Sequence, residues 1–220
     1  MLGIFQTLFH FDFGKNVYVD LTDKKHYNSL TRLSSNNVNN AINSNNNEKV
    51  LRIFQITDTH IGIFKSVESL RKLCEKVVKL NPDLVFLTGD FYSLETRNDN
   101  GALSIALSPL SKLKGKCYAC LGNHEYEDGQ YYDIIKGLKD NSITLLEDEE
   151  TYIDSKFGKI QLLGARFYFS RTKDKSENLF LKFKRNPEVK YHFTLLHNPN
   201  HFKYINNGLT DLVFSGHFHG

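Results

Sequence analysis

Five short polar clusters in the sequence contain Asp, Asn or His side chains, whose oxygen and nitrogen atoms are ligands for hard and borderline divalent ions. Seven of these donors come from separate segments, which is more than one tetrahedral ion needs, whereas two ions that share a bridging carboxylate would use all seven. The clusters are Thr57–His60, Gly89–Asp90, Gly122–Glu125, Leu196–Pro199 and Gly216–Gly220. The chemistry that they favour is metal-assisted catalysis.

Each of these clusters follows a predicted β-strand. The strands are indicated by short runs of apolar and β-branched residues. In α/β sheets, ligands bind in the crevice beyond the carboxyl ends of the strands, so we expect the five clusters to meet there. The predicted strands cover residues 51–57, 84–88, 116–121, 191–196 and 211–215.

Helices are predicted between the early strands, over residues 66–80, 100–114 and 130–140, and a further strand over 143–146. Pro109 is expected to kink or shorten the second helix. This β-α-β alternation indicates a largely parallel sheet with helices on its faces.

From residue 151 the pattern changes to consecutive strands. Residues 151–154 and 159–168 flank a turn at 155–158, which predicts a hairpin. A second sheet packed on the first predicts an α/β fold with a two-sheet α/β/β/α sandwich.

The order of the clusters resembles the motif set of the calcineurin-like metallophosphoesterase family. The chain reads D-x-H, G-D, G-N-H-E, H and G-H-x-H, and the resemblance covers Arg52 to Gly220. The segments Q-I-T-D-T-H-I-G, L-L-H-N-P and S-G-H-F-H-G look closest to the bacterial-type phosphodiesterase branch. The resemblance implies the metallophosphoesterase type of sandwich.

The resemblance also implies a binuclear site with two divalent ions, Mn, Fe or Zn. Its ligands divide into two sets joined by one carboxylate. One ion is assigned Asp58, His60 and His219, the other Asn123, His197 and His217, and Asp90 bridges both.

The same resemblance gives His124 a catalytic role rather than a ligand role. It would face the leaving group, and Glu125 would orient it. The implied reaction is hydrolysis of a phosphomonoester or phosphodiester by a metal-activated hydroxide, with a phosphate ester as the substrate.

Two other functions remain open. A scaffold that keeps the fold but has lost catalysis would lack some ligands, and this chain has all seven and His124. A nuclease of the same superfamily would need a basic, aromatic-lined groove. No run of Lys or Arg accompanies the motifs, so the sequence carries no strong nucleic-acid signal.

Composition permits an enzyme without identifying one. Hydrophobic residues make up 40% and charged residues 24% of the 220 residues, and the formal net charge is +3. No apolar run approaches the roughly 18 residues of a transmembrane span, and we expect a soluble intracellular, cytoplasmic protein. The C-x-x-C of Cys117 and Cys120 is predicted to lie on a strand, with the two thiols on opposite faces as core residues. The sequence does not indicate an oligomeric state.

Three regions are predicted along the chain. Residues 1–33 form an N-terminal extension, either an added strand over 16–21 or a tail. Residues 34–48 form an Asn-rich linker or loop, with eight Asn among residues 34–47. Residues 49–220 form the phosphoesterase domain. Relative to the family pattern, the chain is expected to be cut short after the last G-H-x-H, without the C-terminal strands.

Overall fold

The computed structural model describes residues 2–7, 15–20, 50–62, 65–93, 101–127, 129–169, 178 and 180–218, the first two ranges as backbone only. The predictions for His219, Gly220 and the Asn-rich segment 34–48 lie outside these residues.

The first sheet has six strands. They are β1 (Leu2–Thr7), β2 (Lys15–Asp20), β3 (Val50–Ile56), β4 (Leu84–Thr88), β5 (Cys117–Cys120) and β6 (Thr144–Leu145). Their order is β2-β1-β3-β4-β5-β6, and every pair except β1 with β2 is parallel. The predicted parallel sheet is therefore present. The strand β1 was not predicted, and together with β2 it extends the sheet at one edge.

Helices connect the parallel strands. Helix α1 (Val67–Leu80) begins after Ser66, whose hydroxyl accepts the backbone N–H of Ser69, and it ends before Pro82. Helix α2 (Ala102–Leu107) passes into a 3-10 helix, Ser108–Leu113. The predicted helix over 100–114 is shortened in this way because Pro109 has no N–H to continue the α-helical ladder.

Two more helices follow β5. Helix α3 (His124–Glu127) is a single turn, and helix α4 (Tyr131–Asp140) leads into β6. Helix α4 matches the predicted span 130–140 to within one residue. Among the described residues, no helix is long and apolar enough to cross a membrane.

The second sheet contains four strands. They are β7 (Glu149–Ser155), β8 (Gly158–Gly164), β9 (Tyr191–Leu195) and β10 (Leu212–Phe214). Their order is β10-β9-β8-β7; β7 and β8 form the predicted antiparallel hairpin, and the other pairs are parallel. The chain leaves the sheet at Gly164, earlier than residue 168. The parallel pairing brings the ends of β8, β9 and β10 to one edge.

Successive side chains of a strand point to opposite faces of its sheet, so each sheet contributes to two layers of the core. Val85 and Leu87 pack under the helices, while Leu84 and Phe86 pack between the two sheets. A third cluster, which includes Phe180 and Leu196, covers the outer face of the second sheet. The α/β sandwich of two sheets is confirmed.

The C-x-x-C motif belongs to this core. Cys117 packs in the cluster under the helices and Cys120 in the cluster between the sheets, so their side chains lie on opposite faces of β5. Burial raises the pKa of the Cys117 thiol to about 12. Both residues therefore behave as core side chains.

Candidate metal centre

Four of the predicted ligands have a left-handed backbone. The φ angles are 50° at Asp58, 39° at His60, 55° at Asp90 and 75° at His217. Left-handed conformations are uncommon outside glycine, and they concentrate at functional sites where the chain must turn sharply. Each residue stands just beyond the end of a strand, so the turn aims its side chain across the edge of the sheet.

Asp90 is the centre of the site. Two groups of ligand atoms converge, and in each group all atoms lie within 4.8 Å of one another. One group contains His60 and His124, the other contains His197 and His217, and Asp90 belongs to both. The Asp90 side chain is 2% exposed. A single buried carboxylate therefore lies between two sets of imidazoles.

The ring of His197 is fixed by a backbone carbonyl. Its Nδ1–H donates to the Thr88 oxygen at 2.6 Å, so Nε2 carries the lone pair in the neutral ring. Nε2 lies 3.1 Å from Asp90 Oδ2 and 3.2 Å from His217 Nδ1. A carboxylate and two imidazole nitrogens thus converge on one another, an arrangement that a shared proton or a bound cation stabilises. This donor set fits a cation.

The other side of Asp90 faces His60 and His124. His60 Nε2 lies 3.7 Å from Asp90 Oδ2, and the His60 backbone N–H donates to the Asp90 carbonyl at 3.0 Å. The rings of His60 and His124 meet edge to face, with centroids 4.9 Å apart. The backbone N–H of His124 donates to Asp90 Oδ1 at 3.2 Å. His124 thus lies beside a predicted ligand and close to the shared carboxylate.

Asn123 presents an acceptor that lacks a hydrogen bond. Its side-chain Oδ1 is buried without a partner, whereas Nδ2 donates to Glu127 at 3.4 Å. An unsatisfied buried oxygen costs free energy, and native proteins retain few of them. A bound cation would satisfy this atom, which agrees with the predicted ligand role.

Asp58 is outside both groups of converging atoms among the described residues. Its carboxylate accepts the backbone N–H of His217 at 2.9 and 3.1 Å and the hydroxyl of Thr57 at 2.6 Å. The carboxylate therefore ties the segment after β3 to the segment after β10. His219, which was assigned to the same ion, lies outside the described residues.

Glu125 has a role that sequence reasoning did not identify. The carboxylate is 0% exposed and accepts three backbone N–H groups, from Gly122 at 2.5 Å, Asp90 at 2.9 Å and Phe91 at 2.8 Å. It was expected to orient His124, and the structure shows it binding the chain after β4 and the chain after β5. Its position in G-N-H-E was the one signal that could have indicated this.

Burial and charge oppose each other in the centre. Burial alone would raise the pKa of Asp90, but the hydrogen bond and charge of His197 hold it below the ordinary value. Burial alone would lower the pKa of His197, and Asp90 raises it instead. Burial and the negative charge of Asp90 raise the pKa of Glu125 to about 7, although its three backbone N–H donors act in the opposite direction and lower it. Anionic Asp90 therefore favours positive charge at the site.

Aromatic side chains also lie near the site. The ring of Phe167, after β8, lies 5.9 Å from that of His197 and 6.0 Å from that of His217. Tyr126 donates its hydroxyl to Glu147 at 2.6 Å. Tyr92, in contrast, is buried and accepts the N–H of Leu103, which is a packing role. No local motif precedes Phe167, so spacing could not have revealed it.

The remaining histidines are separate from the centre or peripheral to it. His192 is buried and its Nε2 lies 3.0 Å from the carbonyl oxygen of Asn186. His201 packs against Phe167 at 5.8 Å between ring centroids. His10 and His26 lie outside the described residues.

Fold and site together define an α/β protein of the metal-dependent hydrolase class. The family model described as calcineurin-like phosphoesterase matches residues 51–220, and the chain belongs to this family of metal-dependent phosphoesterases.

Three relatives illustrate the range of the family. The uncharacterized metallophosphoesterase YkoQ of Bacillus subtilis is 30% identical over 178 residues, covering 78% of this chain and 62% of that protein. Phosphodiesterase YaeI of Escherichia coli is 27% identical, and the alignment covers 79% of this chain and 62% of that protein. UDP-2,3-diacylglucosamine pyrophosphatase LpxG of Chlamydia muridarum is 26% identical, and the alignment covers 77% of this chain and 64% of that protein. The alignments thus span less than two thirds of each relative.

Proposed function

We propose that this chain hydrolyses a phosphate ester at a centre for two divalent ions, Mn, Fe or Zn. The observation that carries the proposal is the position of Asp90 between two pairs of imidazoles, His197 with His217 on one side and His60 with His124 on the other. Of these four residues, His124 is assigned below to the leaving group and the other three to the ions. A carboxylate with imidazole ligands on both of its sides suits two adjacent cations better than a lone tetrahedral ion.

The residues divide between the two ions as follows. Asp90 would contact both; His60, with Asp58 and His219, would hold one; and Asn123, His197 and His217 would hold the other. Bound there, divalent ions supply Lewis acidity to the phosphoryl oxygens and lower the pKa of water. The chain itself fixes the ligands through Thr88 and Glu125.

His124 is proposed as the group that donates a proton, or a hydrogen bond, to the leaving oxygen. Its backbone N–H holds Asp90 at 3.2 Å, and its ring lies at the His60 side of the centre. General acid catalysis of this kind contributes roughly 10²–10⁴ in rate. An imidazole suits the role because its ordinary pKa lies near neutrality.

The relatives favour a substrate whose phosphorus carries two substituents. One is named a phosphodiesterase and another a UDP-2,3-diacylglucosamine pyrophosphatase. We therefore propose a diester, or another phosphate that carries two groups, ahead of a monoester.

The experiment is hydrolysis of p-nitrophenyl phosphate and of its bis ester after removal of metal by a chelator. Mn²⁺, Fe²⁺ and Zn²⁺ are then added singly, with Asp90→Asn as the matched inactive variant. We expect turnover of the bis ester that depends on metal and is lost in the variant. A folded chain that hydrolyses neither ester with any of these ions would refute the proposal and favour the scaffold function.

A further inference from the structure

Helix α3 is too short to hold its own position. It consists of His124, Glu125, Tyr126 and Glu127, a single turn. Nucleating one turn is unfavourable in isolation, so a helix of this length needs contacts from outside. The placement of the His124 ring therefore depends on what its neighbours in the helix bind.

One side of the helix is anchored to the first sheet. Glu125 accepts the backbone N–H groups of Asp90 and Phe91, which follow β4. These contacts, together with the bond from the His124 N–H to Asp90 Oδ1, hold the helix near the shared carboxylate on the side of the first sheet.

The opposite anchor is Tyr126, which reaches toward the second sheet. Its hydroxyl donates to Glu147 Oε1 at 2.6 Å, and Glu147 lies in the segment that passes from β6 to β7. The guanidinium of Arg166, just after β8, lies over the Tyr126 ring with 4.6 Å between Cζ and the centroid. Arg166 Nε is also 3.7 Å from Glu147 Oε1. Tyr126 thus connects α3 to two segments of the other sheet.

Glu147 receives a second, equivalent hydroxyl. Tyr131, at the start of α4, donates to Glu147 Oε2 at the same 2.6 Å. This contact shares its acceptor with the Tyr126 contact but belongs to a different helix. The chain therefore offers a matched pair of hydroxyl groups, of which only one lies on the helix that carries His124.

We propose that Tyr126 is a positioning residue for hydrolysis, and that its contacts with Glu147 and Arg166 hold the His124 ring toward the leaving group. The inference rests on the proposed catalytic role of His124. Tyr126 acts through the rotation of α3 and touches no reacting atom. Losing its hydroxyl should displace the His124 ring without removing it.

The test compares Tyr126→Phe with Tyr131→Phe, each in the full chain with Mn²⁺. Substrates are bis(p-nitrophenyl) phosphate and diphenyl phosphate, because phenolate is the poorer leaving group and depends more on protonation. We expect Tyr126→Phe to lower kcat on diphenyl phosphate by about tenfold, as for a misplacement of less than an ångström, with a smaller loss on bis(p-nitrophenyl) phosphate. Tyr131→Phe should lower both rates equally or not at all.

A double-mutant cycle separates positioning from stability. If Tyr126 acts through His124, then Tyr126→Phe should cause no further loss of kcat in the His124→Ala background. Urea unfolding measures the stability of the wild type, the two single variants and the double variant, and elemental analysis measures their bound metal. Additive losses in the cycle, or the same leaving-group dependence in Tyr126→Phe and Tyr131→Phe, would overturn the inference while leaving the proposed function intact.

Failure of the proposed role of His124 gives a different result. If His124→Ala retains kcat on diphenyl phosphate, then His124 is not the leaving-group residue, and its role falls together with this inference, whereas metal-dependent hydrolysis itself still stands. If Tyr126→Phe does not fold, Arg166→Met removes the cation above the Tyr126 ring and keeps the hydroxyl contact. We expect Arg166→Met to show the same greater loss on the substrate with the poorer leaving group. Equal losses on both substrates would overturn the inference.

Discussion

Gly122 is the position where a single methyl group should damage the centre most directly. Its φ is outside the left-handed region, so alanine is permitted by the backbone and only space is at issue. A Cβ built there would lie 2.9 Å from Asp90 Cγ and 2.8 Å from His197 Cε1, and closer still to Asp90 Oδ1. Gly122→Ala therefore tests the position of the shared carboxylate.

The expected size of the effect follows from these distances. Ordinary contact begins at 3.4 Å, so Asp90 Cγ would have to retreat by 0.5 Å (3.4 minus 2.9) and His197 Cε1 by 0.6 Å (3.4 minus 2.8). The carboxylate oxygen must move further, by about 1 Å, and a misplacement of that size costs roughly 10² in rate. Overpacking also lowers the free energy of unfolding by about 1–3 kcal/mol.

The assay is kcat/KM for bis(p-nitrophenyl) phosphate with saturating Mn²⁺, together with bound metal measured by elemental analysis and urea unfolding. Gly137→Ala is the matched control. Gly137 lies in α4, and a Cβ built there would meet the backbone N of Ser104 in α2 at 3.1 Å, so the substitution also crowds a tight contact but leaves the metal centre alone. We expect the control to retain activity and Gly122→Ala to lose roughly 10². Activity of folded Gly122→Ala within threefold of the control would refute the argument that Asp90 is fixed by packing against Gly122.

Three further variants probe the assignments. Asp90→Ala should abolish hydrolysis and the binding of both ions, and wild-type metal content by elemental analysis would contradict the shared role. His124→Ala should keep its metal and lose roughly 10²–10⁴ in kcat; loss of metal in proportion to activity would make His124 a ligand instead. Asn123→Ala removes an oxygen without a hydrogen bond, so urea unfolding with chelator should change little. Calorimetric Mn²⁺ affinity should nevertheless fall by ~10–100-fold, and an unchanged affinity would exclude Asn123 as a ligand.

The sheet strands could be predicted from the sequence because buried parallel strands read as continuous apolar runs. β4 is Leu84–Thr88 as predicted, and β9, Tyr191–Leu195, differs by one residue. The strand β1 was missed because Leu2–Thr7 is a short apolar run with no helix or turn signal beside it. Local pattern cannot distinguish such an edge strand from a tail, since the pairing partner is distant in sequence.

The candidate site was predictable in residue type and less so in geometry. The order of motifs identified Asp90 and His197, whose atoms lie 3.1 Å apart in the structure. The support around them was not predictable, because Thr88 contributes a backbone carbonyl and Glu125 binds N–H groups that every residue has. Backbone contacts leave no side-chain signature in a sequence.

These backbone contacts hold the predicted ligands Asp90 and His197 in place. Asp90 turns with φ of 55°, its N–H is held by Glu125, and its Oδ1 accepts the N–H of His124. His197 is held by the Thr88 carbonyl through the nitrogen that faces away from the centre. Asp90 and His197 are thus fixed through atoms other than the Oδ2 and Nε2 that converge. Donors held in this way would need little rearrangement to bind a cation.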